Sequence, residues 1–110
     1  MENRLDFTAY GHGNWQVLEL SGRVDTVTSP AAENALMEQL GANSFLAVDF
    51  AGVDYISSAG LRALLRVAKQ AKHEAKSFVL LGITGMVLDV LVTSGMDYLF
   101  TIYEGADMLP

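Results

Sequence analysis

The chain has 110 residues, thirteen acidic and seven basic side chains, a net charge of −6 and no cysteine, and 51% of its residues are apolar. That length holds one core, so a single domain over residues 1–110 is expected, and the apolar fraction excludes a disordered chain. The missing cysteines exclude disulfides, thiolate metal sites and cysteine catalysis, and the acidic balance argues against direct nucleic-acid binding.

The N-terminus, Met1-Glu2-Asn3-Arg4-Leu5-Asp6, has no basic stretch followed by an apolar block, so no signal peptide is expected. Leu5 to Tyr10 alternates loosely and Trp15 to Leu20 alternates cleanly. Gly11-His12-Gly13-Asn14 between them is turn material, and the three together predict a hairpin. Ser21 to Val27 reads as a loop leaving the second strand. Ser29-Pro30 then predicts a helix start, a capping hydroxyl with proline at the first helical position. The helix runs through Ala32, Ala35, Leu36 and Leu40 and stops at Gly41. Phe45 to Phe50 is a short apolar run, expected for a strand covered on both faces.

After Asp54-Tyr55-Ile56-Ser57-Ser58 comes the longest helical pattern, Ser58 to Lys76. Leu61, Leu64, Leu65, Ala68, Ala71 and Ala75 form its apolar stripe, and Arg62, Arg66, Lys69, His73 and Lys76 fall opposite. Phe78 to Leu81 reads as another buried strand. Thr84 is placed to cap a third helix, Met86 to Ser94, closed by Gly95. That helix is apolar almost all round. Met86 and Val90 are its expected exposed pair unless the terminal turn with Met108 and Leu109 folds over them. Leu99 to Tyr103 is an expected edge strand, and Gly105 to Leu109 a turn or short helix. Asp89 and Asp97 interrupt the most apolar region, so no membrane span is expected. Strand–helix–strand order predicts an α/β fold, a mixed central sheet of four to five strands with three to four helices packed against it.

Chemistry concentrates at the handover from Phe45–Phe50 to the long helix. Ser57 or Ser58 can cap that helix, and taken alone this is the simpler reading. Gly60 in the first turn costs about 1 kcal/mol against alanine and points to a close approach to the backbone. Asp25, taken alone, reads as a solvated turn residue, and the basic stripe as a wet helix face. His12 and His73 lie far apart with no carboxylate at ligand spacing, so no metal site is expected. Ser58 has Ile56 rather than glycine two residues before it, unlike a nucleophile elbow, and no phosphate-binding loop motif occurs. No catalytic residue and no cofactor is therefore assigned.

Val48-Asp49-Phe50 followed by Val53-Asp54-Tyr55-Ile56-Ser57-Ser58-Ala59-Gly60-Leu61 resembles the signature of the STAS domain family, and Gly22-Arg23-Val24-Asp25 resembles its Gly-x-x-Asp element. The family includes bacterial anti-sigma factor antagonists and cytoplasmic domains of sulphate transporters. The resemblance implies a STAS-like fold and a cytoplasmic, non-enzymatic protein that binds an anti-sigma factor serine kinase. It makes Ser58 the residue that kinase phosphorylates to end binding, with a serine phosphatase restoring it. It also places Asp25, Thr26, Ser57, Ser58, Gly60 and Arg62 on the docking surface. The family's common aspartate before the phosphoserine is here Ser57, a second candidate acceptor. Ala59 replaces a frequent Ser or Thr, and Arg62 a frequent small residue. No nucleic acid or membrane partner is implied, and a monomer or weak dimer is expected. The alternative is a non-switching STAS scaffold in a lipid-transport or stress-signalling assembly, in which Ser58 only caps its helix.

Overall fold

The computed structural model describes residues 4–110. Met1 to Asn3, half of the stretch read above for a signal sequence, lie outside the described residues. Five strands and three α-helices follow in the order β1 (Leu5–His12), β2 (Trp15–Val24), α1 (Ser29–Ala42), β3 (Phe45–Ile56), α2 (Ser58–His73), β4 (Ser77–Leu81), α3 (Gly85–Thr93) and β5 (Thr101–Tyr103). Short 3₁₀ turns occupy Asp97–Leu99 and Ala106–Met108. The sheet order is β1-β2-β3-β4-β5, with β1 antiparallel to β2 and every other neighbouring pair parallel. The mixed α/β architecture expected from the sequence is the one observed.

Period-two alternation gives the sheet two apolar faces. On one, Leu18, Leu20, Leu46, Val48, Phe50 and Leu80 pack against Ala32, Leu36 and Leu40 of α1 and Leu61, Leu64, Val67 and Ala71 of α2. Val87 and Leu91 of α3 complete that core. On the other face Trp15, Val17, Ala47, Val79 and Leu81 are buried beneath Tyr10, Tyr103, Ala106 and Leu109. The Trp15 indole N–H donates to the Pro110 carbonyl at 3.1 Å, and its ring meets Phe45 edge-on at 5.3 Å. The terminal turn thus covers the face away from the three helices, not α3. On α3 Met86 is 38% exposed as expected, but Val90 is half-buried. Leu88 and Val92 are the other exposed apolar side chains of that helix.

Both β2 and β3 run well past the ends their hydrophobic patterns predict. Their final residues are held by pairing with each other, with Gly22 opposite Val53, Arg23 opposite Tyr55 and Val24 opposite Ile56. Between Val53 and Tyr55, Asp54 is an extra residue on β3, which bulges opposite Gly22 and Arg23. Gly22 has φ of 123°, and a Cβ on it would lie 2.2 Å from the Arg4 carbonyl oxygen, so only glycine fits. At the start of α1 the capping position belongs to Thr28, not Ser29, and Thr84 occupies the corresponding position before α3. Neither side chain bonds to its own helix. α1 continues one residue beyond Gly41, whereas Gly95 closes the turn after α3 at φ 71°, as expected.

α2 ends at His73, short of Lys76. The Lys76 N–H donates to the Ala71 carbonyl at 2.8 Å and the Ala75 N–H to Lys72 at 3.2 Å, a closing turn that requires a left-handed residue. Ala75 occupies that place at φ 57°. The turn aims Ser77 at β3, where it pairs with Phe45. It also lets the Lys76 ammonium cap the last carbonyls of α1, 2.6 Å from the Leu40 oxygen. The left-handed conformation costs an L-alanine about 1 kcal/mol that glycine avoids. Ala75→Gly is therefore expected to raise stability by about 0.5 kcal/mol or less, once the entropy of a more flexible unfolded chain is subtracted. Urea or thermal unfolding measures the change, and a destabilised variant contradicts this account.

Candidate docking site at the carboxyl ends of the central strands

Parallel pairing places the ends of β2 and β3 side by side, so the segments leaving them emerge together at one end of the sheet. In parallel sheets this is where ligands and partners meet loop side chains. The Ser57 N–H donates to the Val24 carbonyl at 2.8 Å, continuing the ladder one step beyond the strands. Asp25 to Thr28 therefore lie beside Ser57 and Ser58, bringing together two motifs more than thirty residues apart in the chain.

Asp25 is not the solvated turn residue its isolated sequence context suggests. It is 8% exposed. Its Oδ1 accepts from the Val27 N–H at 2.9 Å and the Thr28 N–H at 3.0 Å, and its own N–H donates to the Thr28 hydroxyl at 2.9 Å. The single Thr28 hydroxyl proton lies between the Arg23 carbonyl at 2.7 Å and Asp25 Oδ1 at 3.2 Å. Arg23 Nε stands 3.5 Å from Asp25 Oδ2, and its guanidinium carbon lies 4.2 Å above the Tyr55 ring, tying the ends of β2 and β3 together. These bonds shape the loop and push Thr26 and Val27 outward, both exposed. The Asp-x-x-Thr spacing before a helix is the sequence signal for this loop.

Gly60, expected at the surface with Arg62 and the serines, is buried. A Cβ there would stand 2.7 Å from Val24 Cγ1, 2.8 Å from Ile56 Cγ1 and 3.0 Å from the Val24 oxygen. The close approach foreseen from Gly60 is that of the chain's own strand ends. It lets the first turn of α2 sit directly on them.

Ser57 is the capping residue of α2, its Oγ accepting from the Gly60 N–H at 3.3 Å. Ser58 is the first helical residue and is exposed. Among the described residues its hydroxyl has no hydrogen-bond partner, and the Ser58 and Ala59 N–H groups point out of the helix start without a protein acceptor. Positive dipole and open donors there favour an added anion. Arg62, one turn on, is exposed. Ser58 also stands on the rim of a groove of about 360 Å³ completed by Leu61 of α2 and by Asp89, Val90, Thr93 and Ser94. The sequence pairs none of the α3 residues with Ser58, because the groove exists only once α3 packs on β3.

Foremost the Thr28 N–H, then the Val27 N–H, the Thr28 hydroxyl and Arg23, hold the Asp25 carboxyl below its ordinary value, with burial opposing them. A lowered folded value contributes stability that is present above the unfolded value and is lost as pH falls through it toward the folded one. The gap in melting temperature between the wild-type protein and Asp25→Asn is therefore expected at neutral pH and to close below about pH 4. A gap independent of pH contradicts a role for the charge. Gly60→Ala is expected to cost about 1–3 kcal/mol by displacing α2 from Val24 and Ile56, and denaturant unfolding measures it.

Solved structures share this fold. An anti-sigma factor antagonist from Mycobacterium paratuberculosis is 25% identical, aligning over 97% of this chain and 92% of its own with a TM-score of 0.84. SpoIIAA, a Bacillus cell fate determinant solved in its phosphorylated form, is 16% identical over 93% of this chain and 95% of its own, with a TM-score of 0.68. A sulfate transporter family protein from Wolinella succinogenes is 13% identical over 86% and 80%, with a TM-score of 0.73. At such identities the last two show a common fold and nothing finer. Residues 6–107 match the family model for the STAS domain, which spans nearly all of the sequence. With the Gly22-to-Asp25 and Ser57-to-Leu61 elements meeting at one end of the mixed sheet, the chain belongs to the STAS domain family.

Proposed function

We propose that the protein is a cytoplasmic anti-sigma factor antagonist, a binding partner and phosphorylation substrate of an anti-sigma factor serine kinase and not itself an enzyme. The observation that carries this reading is the division of labour between two adjacent serines. Ser57 spends its hydroxyl on the helix cap, while Ser58 holds an uncommitted hydroxyl in solvent. That favours Ser58 over Ser57 as acceptor. Thr26, Ser57, Ser58 and Arg62 form the docking surface, with Asp25 and Gly60 shaping it from beneath. A serine phosphatase reverses the modification. The likeness to the mycobacterial antagonist supports the same assignment.

A phosphate adds about −1.5 to −2 charge at neutral pH. Within the molecule it meets open N–H groups, the positive end of α2 and Arg62, so the fold tolerates it. At an interface it must be desolvated against a surface shaped for a neutral hydroxyl. A penalty of about 3–4 kcal/mol there weakens binding by roughly two to three orders of magnitude.

The second reading is a non-switching scaffold, in which Ser58 serves only as the first residue of α2. The occurrence of the fold in a sulfate transporter family protein favours it. Intact-mass spectrometry of protein from its native cell separates the two: a species heavier by one phosphate at Ser58 belongs to the switch, and its absence under every growth condition to the scaffold. Ser58→Asp is expected to melt like the wild-type protein yet fail to hold the kinase in a pull-down. Ser58→Ala is expected to hold the kinase and resist release by ATP. A Ser58→Asp protein that unfolds, or that binds normally, contradicts the proposal.

A further inference from the structure

The acidic character of the chain stops at α2. Its sixteen residues include Arg62, Arg66, Lys69 and Lys72 and no Asp or Glu, while the remaining residues include all thirteen acids and only three bases. Exposed helix faces ordinarily mix both signs, because like charges three or four residues apart repel. Here Arg62 and Arg66 stand four apart, and Arg66 and Lys69 three apart. One of these charges is relieved: Arg66 forms a two-pronged pair with Glu33 of α1, with Nη2 2.7 Å and Nε 3.0 Å from the carboxylate. Arg62, Lys69 and Lys72 are exposed and make no ion pair among the described residues. Of these, Lys69 lines a concavity of about 520 Å³ between α1 and α2 together with Met37, Arg66, Gln70 and His73, whereas Lys72 lines a separate one beside Lys76, Phe78 and Leu99.

We infer that this groove between α1 and α2 is a docking surface for an acidic segment of a partner protein. The segment's carboxylates lie against Lys69 and the exposed edge of Arg66, and an apolar side chain lies against Met37, whose flexible thioether accommodates varied shapes. Charge complementarity selects this occupant. A nucleic acid or an anionic bilayer presents negative charge over a wider area than the groove, and the acidic remainder of the molecule repels it. A short acidic segment meets only the basic stripe. The surface goes beyond the Ser58 switch and does not rest on it, since Lys69 does not line the groove beside Ser58.

Fluorescence anisotropy of a labelled peptide of alternating Glu and Leu, titrated with the full chain, tests the inference, with a Lys–Leu peptide of equal length as control. The acidic peptide is expected to bind, with affinity falling at least ~tenfold as salt rises from about 50 to about 500 mM, and the basic one not to bind. Amide shifts in ¹⁵N spectra are expected to concentrate at Met37, Arg66, Lys69 and His73. Lys69→Glu is expected to keep the wild-type melting temperature and to lose at least ~tenfold in affinity. The milder Lys69→Gln, which removes charge without reversing it, is expected to weaken binding in the same direction. The inference is overturned if the acidic peptide does not bind, if either charge variant binds it unchanged, or if the shifts fall elsewhere. Tighter binding of a single-stranded oligonucleotide or of phosphatidylserine vesicles overturns it as well.

Discussion

The parallel pairing of β2 with β3 over their last residues is the constraint on which the rest of the site depends. Val24 lies opposite Ile56, and the Ser57 N–H extends the ladder to the Val24 carbonyl. Those two apolar side chains form the floor on which the first turn of α2 rests. The contact is so close that position 60 has no room for a Cβ. Because the strands end together, the loop from β2 and the turn from β3 leave the sheet as neighbours, and Ser58 is presented beside Thr26 and Val27.

Around that floor the polar groups are spent in a consistent order. Buried donors and acceptors are satisfied inside the loop, by Asp25 and Thr28, or at the helix cap, by Ser57. No buried side-chain nitrogen or oxygen among the described residues lacks a hydrogen-bond partner. The hydroxyl left over is the exposed one. Such a site has little to rearrange when its charge changes.

The helices divide the remaining tasks. α2 joins core to surface, with Leu61, Leu64, Val67 and Ala71 buried and its opposite face basic. α3 gives Val87 and Leu91 to the core and leaves Met86, Leu88 and Val92 in solvent. The second face of the sheet is closed by aromatic side chains and the terminal turn, with Trp15 pinned to Pro110. The ends of the molecule that carry no helix are thus buried by different means, leaving the strand-end surface and the faces of α2 and α3 open to partners.

Much of this was legible in the residues themselves. Period-two and period-3.6 patterns located each strand and helix, and Ser57-Ser58-Ala59-Gly60-Leu61 marked the site, because alternation and capping are local properties that neighbouring residues report. Non-local pairing was not legible. The residues from Ala51 to Ile56 join β3 only because β2 lies alongside, and α2 stops at His73 because Ser77 must reach Phe45. Asp25 looks solvated until Arg23, Val27 and Thr28 close round it, and Gly60 looks like an invitation to a ligand until Val24 and Ile56 fill the space. The sequence alone determined which residues are apolar, which turn and which carry a hydroxyl. The tertiary structure alone decided which of them meet, since burial and hydrogen bonding between distant segments depend on packing that no local pattern encodes.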